Sequence, residues 1–330
     1  MRRLAAAGLV SLLALSALSA AQNATALGPY PTLGGCPIFP APPAGLSATA
    51  PSLPTEAAWN QDVSNAPISP NSAATIAYID AHGGDHLHPD FGSPRAYGFP
   101  YAVVGSGQRK LPIHYTAYGD ESDRGPFPVP KGAPVEGGSR SDGDRHVLVV
   151  DRSTCTLYEL YRAFFKRGGH PHWNADSGAR WDLRSMARRP DSWTSADAAG
   201  LPIFPGLLRY DEVASGHVAH AVRITFDSTR DAWVHPASHC AGDISNPDAP
   251  AMGARLRLKA SYPLRGFSGG ARTIATVLKR YGAIVADNGS NWYFGGTSDR
   301  RWNNSNLNQL KRIPGSAFQV VRSATPAHTC

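Results

Sequence analysis

The chain has 330 residues, 42% of them hydrophobic, and a formal net charge of +7. That length can bury a substantial core as one large domain or two small ones. The charge is spread along the chain without a basic block, which argues against a nucleic-acid binder.

Met1-Arg2-Arg3 is a short basic start, Leu4 to Leu18 is uncharged and mostly apolar, and Ser19-Ala20-Ala21 supplies small residues before Gln22. This three-part layout predicts a secretory signal peptide over 1–21. Its apolar run is short for a membrane span, which needs about 20 residues. The expected product is secreted, extracellular or periplasmic, and carries no membrane span. Residues 22–54 read as an extended Pro/Ala-rich lead-in, and 55–330 as a single β-rich domain. The cysteines after the signal are Cys36, Cys155, Cys240 and Cys330. An oxidising compartment predicts two disulfides among three pairings, with Cys36 tying the lead-in to the body. No C-x-x-C occurs.

Glutamate is confined to Glu56, Glu121, Glu136, Glu159 and Glu212, while Gly and Pro abound. That balance favours strands and long loops over helices. Ser72 to Ala81 predicts a short helix. Tyr101 to Val104 and Leu111 to Tyr118 predict strands. The apolar run from His146 to Val150 predicts a strand covered on both faces, with a turn at Asp151 and a return strand to Tyr161. Gly168 to Asp197 reads as a loop-rich insert. Leu207 to Val213, Val218 to Phe226, Trp233 to Val234 and Arg255 to Tyr262 read as strands. Ala271 to Tyr281 is the best helix, with Ile274, Val277, Leu278 and Tyr281 as its stripe and Ser268 as its cap. Ala283 to Ala286, Asn288-Gly289 and Trp292 to Phe294 read as a hairpin. Phe318 to Val321 reads as a closing strand. The expected fold is mainly β: a two-sheet sandwich of jelly-roll type with one or two helices and long loops, or alternatively a barrel.

Several constellations could carry chemistry. His86, His88 and Asp90 fall in one short extended stretch and could hold a divalent metal, although no cofactor is required by any motif. Arg209, Asp211, Glu212, His220 and Arg223 form a second group. Read as strands, it offers a carboxylate acid or base with cationic and imidazole neighbours. Asp151 and Asp287 each end an apolar strand, where paired carboxylates of glycosidases often border a cleft. Trp181 and Trp292 offer rings for stacking on sugars, with Asn291 beside them for hydroxyls. Gly266-Phe267-Ser268-Gly269-Gly270 matches a nucleophile elbow in form, with Asp287 and His328 downstream. No strand runs into it, so Ser268 reads as a helix cap. Gly105-Ser106-Gly107 lacks the rest of a dinucleotide fingerprint.

Cys36-Pro37-Ile38-Phe39-Pro40, Trp59-Asn60, Leu87-His88-Pro89-Asp90-Phe91-Gly92, Gly143 through Asp151, Leu201 through Val213 and Ala286-Asp287-Asn288-Gly289-Ser290 together carry a resemblance. The chain resembles a family of exported hypothetical bacterial proteins over nearly all of its length after the signal. The resemblance implies export and a common fold, and brings no catalytic residue with it. The expectation for function is a secreted carbohydrate-active enzyme, a glycoside hydrolase or polysaccharide lyase. Asp211 or Glu212 would pair with Asp287, Asp151 would be a further acid, and His220, Arg209 and Arg223 would orient substrate. The partner would be an extracellular polysaccharide or other polymer, met by a monomer. The alternatives are a non-catalytic carbohydrate-binding envelope protein and a metal-dependent hydrolase using His86 and His88.

Overall fold

Among the described residues strands outnumber helices, and they fall into four sheets. The computed structural model describes residues 32–38, 55–92, 97–185 and 187–330. The expected signal peptide and most of the lead-in lie outside the described residues. The largest sheet holds β1 (His88–Pro89), β9 (Val222–Phe226), β11 (Arg255–Leu258), β12 (Ala283–Asn288), β13 (Tyr293–Phe294) and β14 (Phe318–Val320), in the spatial order β1-β13-β9-β12-β11-β14. A four-stranded sheet follows the order β2-β4-β5-β8, from β2 (Tyr101–Val104), β4 (Val147–Asp151), β5 (Thr156–Tyr161) and β8 (Ser177–Asp182). β3 (Ile113–Tyr115), β7 (His172–Ala175) and β6 (Phe164–Lys166) form a three-stranded sheet. β10 (Ala232–Trp233) and β15 (His328–Thr329) form a two-stranded one.

The apolar run of β4 explains the layering. All five of its residues are buried. Leu148 and Val150 join the larger hydrophobic cluster, which also takes Leu157 and Trp181 of the same sheet and Val222, Ile224, Leu256 and Val285 of the six-stranded sheet. Val147 and Val149 face the other way, into a second cluster with Tyr158, Leu160, Ile113 and Trp173. A strand with no polar face is stable only when both faces are covered, and β4 has a core on each.

The mixed pairing departs from the antiparallel jelly-roll expectation. β1 with β13, β2 with β4, β3 with β7 and β9 with β12 all run parallel. The expected hairpin at Asn288-Gly289 is also absent. β12 and β13 each pair with β9, from opposite sides, so β9 is inserted between them. The insert from Gly168 to Asp197 contains all of β7 and β8 rather than loop alone.

Helices form at Ser72–Ala81, which buries Ser72, Thr75, Ile76 and Ile79, and at Gly269–Arg280, where the apolar stripe matches the sequence spacing. The second buries Ala271, Ile274, Ala275, Val277 and Leu278. Its Ser268 cap makes no side-chain bond to the first turn. Instead Asn306 Oδ1 accepts from the Ala271 amide at 2.9 Å, so the orphan donor is satisfied across space. Tyr210–Ser215 is a helix where a strand was expected. Glu212 closes its N-terminus, its carboxylate accepting from the Arg209 amide and from the Arg209 guanidinium, and Gly216 ends it at φ 76°, a conformation glycine adopts without a Cβ penalty.

Two disulfides are present, Cys36–Cys155 and Cys240–Cys330. The first ties residues 32–38 to the turn before β5. Among the described residues, no helix is long and apolar enough to cross a membrane.

Candidate functional site

A β-bulge shapes the floor of a polar pocket. β9 and β12 run in parallel register, Arg223 beside Ile284 and Ile224 beside Val285. The register then slips, and Thr225 lies beside Asp287 rather than Ala286. Side chains alternate faces along a strand, so without the extra residue Asp287 would point away from Arg223 and Thr225. With it, all three share one face. The pocket over that face has a volume of about 210 Å³. Besides these three, its walls include Asp90 after β1, Glu136 and His146 from the approach to β4, and Tyr293 of β13.

Arg223 is buried and anchors the floor. Its Nε and Nη2 reach the two oxygens of Asp197 at 3.1 and 2.6 Å, a bidentate pair. Nη2 also lies 3.5 Å from Asp287 Oδ2. Asp197 is 1% exposed, whereas the Asp287 side chain is 23% exposed and opens to the pocket. Burial, and then the neighbouring Asp197 carboxylate, push the Asp287 carboxyl well above the usual carboxylate range, against the opposing pull of Arg223. Arg223 is engaged chiefly by Asp197, so it offsets the charge of Asp287 only in part.

His146 supplies a second buried cation. Nδ1 lies 2.5 Å from Glu136 Oε2, and Nε2 lies 2.9 Å from the Ala196 carbonyl. With acceptors on both sides, each ring nitrogen donates and the imidazole is charged. Burial opposes that charge, yet Glu136 outweighs it and holds the His146 pKa at about 9. Glu136 is correspondingly lowered: burial opposes its ionisation, and His146 overcomes it. Arg145 fixes the loop between them by donating to the Ser139, Ser141 and Ala163 carbonyls. Asp90 is exposed at the rim, yet protein crowding its carboxyl pushes its pKa up, with the Glu136 charge adding to the effect. Tyr293 is half-buried, stacked on His88 with centroids 4.1 Å apart.

Asp287 and Arg223 therefore meet in one pocket, with Asp90 at its rim. The other expected site residues do not join them. Asp211 is exposed and paired with Arg301 at 2.6 Å. Glu212 accepts from the Arg209 amide at 2.7 Å and lies 3.2 Å from His220 Nε2. Burial opposes its charge, but Arg209 and His220 bring the Glu212 pKa down to about 2. That carboxylate is locked as a helix cap, and Arg209 is spent on it and on the Phe204 and Leu207 carbonyls. Asp151 accepts from the Ser153 amide and hydroxyl, at 2.9 and 2.6 Å, and shapes the turn after β4. Trp292 and Trp181 are 0% and 4% exposed, so neither ring can stack on a ligand. Asn291 is buried, donating to the Ile79 carbonyl and accepting from the Asp227 amide.

His86, His88 and Asp90 also separate. His86 bonds Asp85 at 2.7 Å, His88 stacks on Tyr293, and Asp90 faces the pocket. They are not among the described residues whose ligand atoms converge within 4.8 Å. Ser268 Oγ accepts from Gln309 Nε2 at 3.1 Å, in keeping with a helix-end role.

The residues missed from sequence are Glu136, His146, Asp197 and Tyr293. Of these, His146 alone left a mark, as an ionisable residue at the head of the apolar run Val147 to Val150. Comparison with known proteins returns no matching family model, no matching curated protein and no matching solved structure.

Proposed function

We propose that the chain is a secreted carbohydrate-active enzyme that cleaves an extracellular polysaccharide by acid–base chemistry in the Asp287 pocket. The observation that carries this is a pair of carboxyls lining one polar pocket, Asp287 with its proton affinity raised by burial and Asp197, and Glu136 with its own lowered by His146. Asp287 donates its proton to the glycosidic oxygen as the C–O bond breaks. The Glu136 carboxylate takes a proton from the attacking water, the division of labour two carboxylates provide in glycoside hydrolysis. Arg223 and His146 are each matched by a carboxylate, Asp197 and Glu136, so the floor is close to charge-neutral and polar, which suits the hydroxyls of an uncharged sugar. Tyr293 is the ring that an apolar sugar face would meet, in place of the buried tryptophans. The two disulfides fit an oxidising compartment and hence export. We read the six- and four-stranded sheets as packed face to face in a two-sheet sandwich, since one buried cluster runs through both.

The test is a polysaccharide panel, including uronate polymers, scored by reducing ends and by the absorbance of unsaturated products. Hydrolysis yields the first signal alone and a lyase yields both. Asp287→Asn should lower turnover by about 10²- to 10⁴-fold while leaving substrate binding in place. Binding of a polymer with no product from the wild-type chain would replace this reading with that of a carbohydrate-binding protein.

A further inference from the structure

Away from the pocket, three groups from distant parts of the chain converge at the β10–β15 sheet. Asp191 lies in the loop after β8, His235 follows β10, and His328 begins β15. One ligand atom from each falls within 4.8 Å of the others. His235 Nε2 is 3.5 Å from Asp191 Oδ1. That is too long for a good hydrogen bond, and this buried nitrogen has no hydrogen-bond partner. His328 is held in place by its neighbours. It pairs with Trp233 across the β10–β15 ladder, and the two rings stack at 4.1 Å with 8° between their planes. The His235 and His328 centroids are 5.3 Å apart.

We propose that Asp191, His235 and His328 form a divalent-metal site of the zinc class that clips the C-terminal strand to the body of the protein. Two imidazoles and one carboxylate are a borderline-soft set that suits Zn²⁺, with water completing a tetrahedron. Zinc bonds of about 2.0–2.1 Å place tetrahedral ligand atoms roughly 3.3 Å apart. The His235–Asp191 separation already meets this, and the third ligand atom lies within 4.8 Å of both. Arg188 donates to Asp191 Oδ1. A carboxylate has two oxygens and about four acceptor positions, so Arg188 can orient the group from outside while the metal takes the inner side. The neighbouring convergence of Asp231, Cys240 and Cys330 is not a rival, because both sulfurs are in a disulfide.

The full chain, stripped by chelator dialysis, is titrated with Zn²⁺ alone by calorimetry, and Co²⁺ is added separately to read the visible spectrum. One Zn²⁺ should bind per chain and raise the thermal midpoint. Co²⁺ should give the intense bands of a four-coordinate site. His235→Ala and His328→Gln should each weaken Zn²⁺ binding ~100-fold or more, and the double variant His86→Ala/His88→Ala should leave it unchanged. Metal-free variants that unfold at the metal-free wild-type midpoint establish that the fold is retained. If a variant does not fold, the Co²⁺ spectrum of the unmodified chain decides. Absence of stoichiometric binding, a weak six-coordinate spectrum, unchanged affinity in both ligand variants, or loss on changing His86 and His88 would overturn the proposal.

Discussion

Arg223 and Asp197 show how one buried pair can set the chemistry of a third group. Removing one partner of a buried ion pair strands the other charge, at a cost of about 3–5 kcal/mol. Asp197→Ala should destabilise the chain by that order in urea unfolding. It should also free Arg223 to pair with Asp287, so the Asp287 proton is held less tightly. In any activity that needs this proton, the alkaline limb of the pH profile should move to lower pH. Arg223 and Asp287 were both visible in sequence as charged residues on apolar strands. Asp197 was not, because it lies 26 residues from Arg223 in a Gly-, Ser- and Ala-rich stretch with no periodicity. Glu136 and His146 are only ten residues apart, but the loop that joins them takes its shape from Arg145 reaching three carbonyls. Local patterns do not encode such non-local polar closures.

At the scale of elements, regular apolar spacing was legible and polar segments were not. The Ser72–Ala81 and Gly269–Arg280 helices and the β4–β5 pair follow from their sequences. The Tyr210–Ser215 helix did not, because its six residues are too few for a periodic signal. Its Arg209–Glu212 closure was read as catalytic charge. The partners of β12 were misread for a related reason. Asn-Gly favours a tight turn, yet β9 offers both neighbouring strands an apolar ladder, and tertiary pairing overrides the turn preference. The long helix provides a test of capping from across space. Asn306→Ala should cost about 1 kcal/mol in chemical denaturation, and Ser268→Ala should cost less. The reverse order would show that Ser268 is the effective cap.

For the whole molecule, buried ionisable groups set a pH window of stability. His146 is raised from 6.5 to about 9, so its contribution is complete below about pH 6.5 and is lost as pH rises through 9. Glu159 accepts from the Ile203 and Phe204 amides at 2.8–3.0 Å. Burial nonetheless raises its pKa from 4.5 to about 7, so the fold holds its proton more tightly than the unfolded chain, and that advantage is lost between those values. Glu212 is lowered to about 2. Its contribution is present above about pH 4.5 and disappears as pH falls through 2. Together these place maximal stability near pH 4.5, with a decline toward pH 7 as Glu159 ionises and a further one as His146 loses its proton, measurable as the thermal midpoint against pH. A plateau extending to pH 9 would contradict the charged state of His146.

The two disulfides join the cysteines in strict order along the chain, first with second and third with fourth. A chain entering an oxidising compartment from its N-terminus presents Cys36 alone, and the next thiol to arrive is Cys155, 119 residues later. At ordinary synthesis rates that interval is on the order of ten seconds. Once the two have joined, Cys240 meets no free thiol until Cys330 follows it. Under the proposed export, vectorial oxidation would yield this connectivity without a reshuffling step, and maturation would depend on supplying oxidant rather than on correcting mispaired bridges.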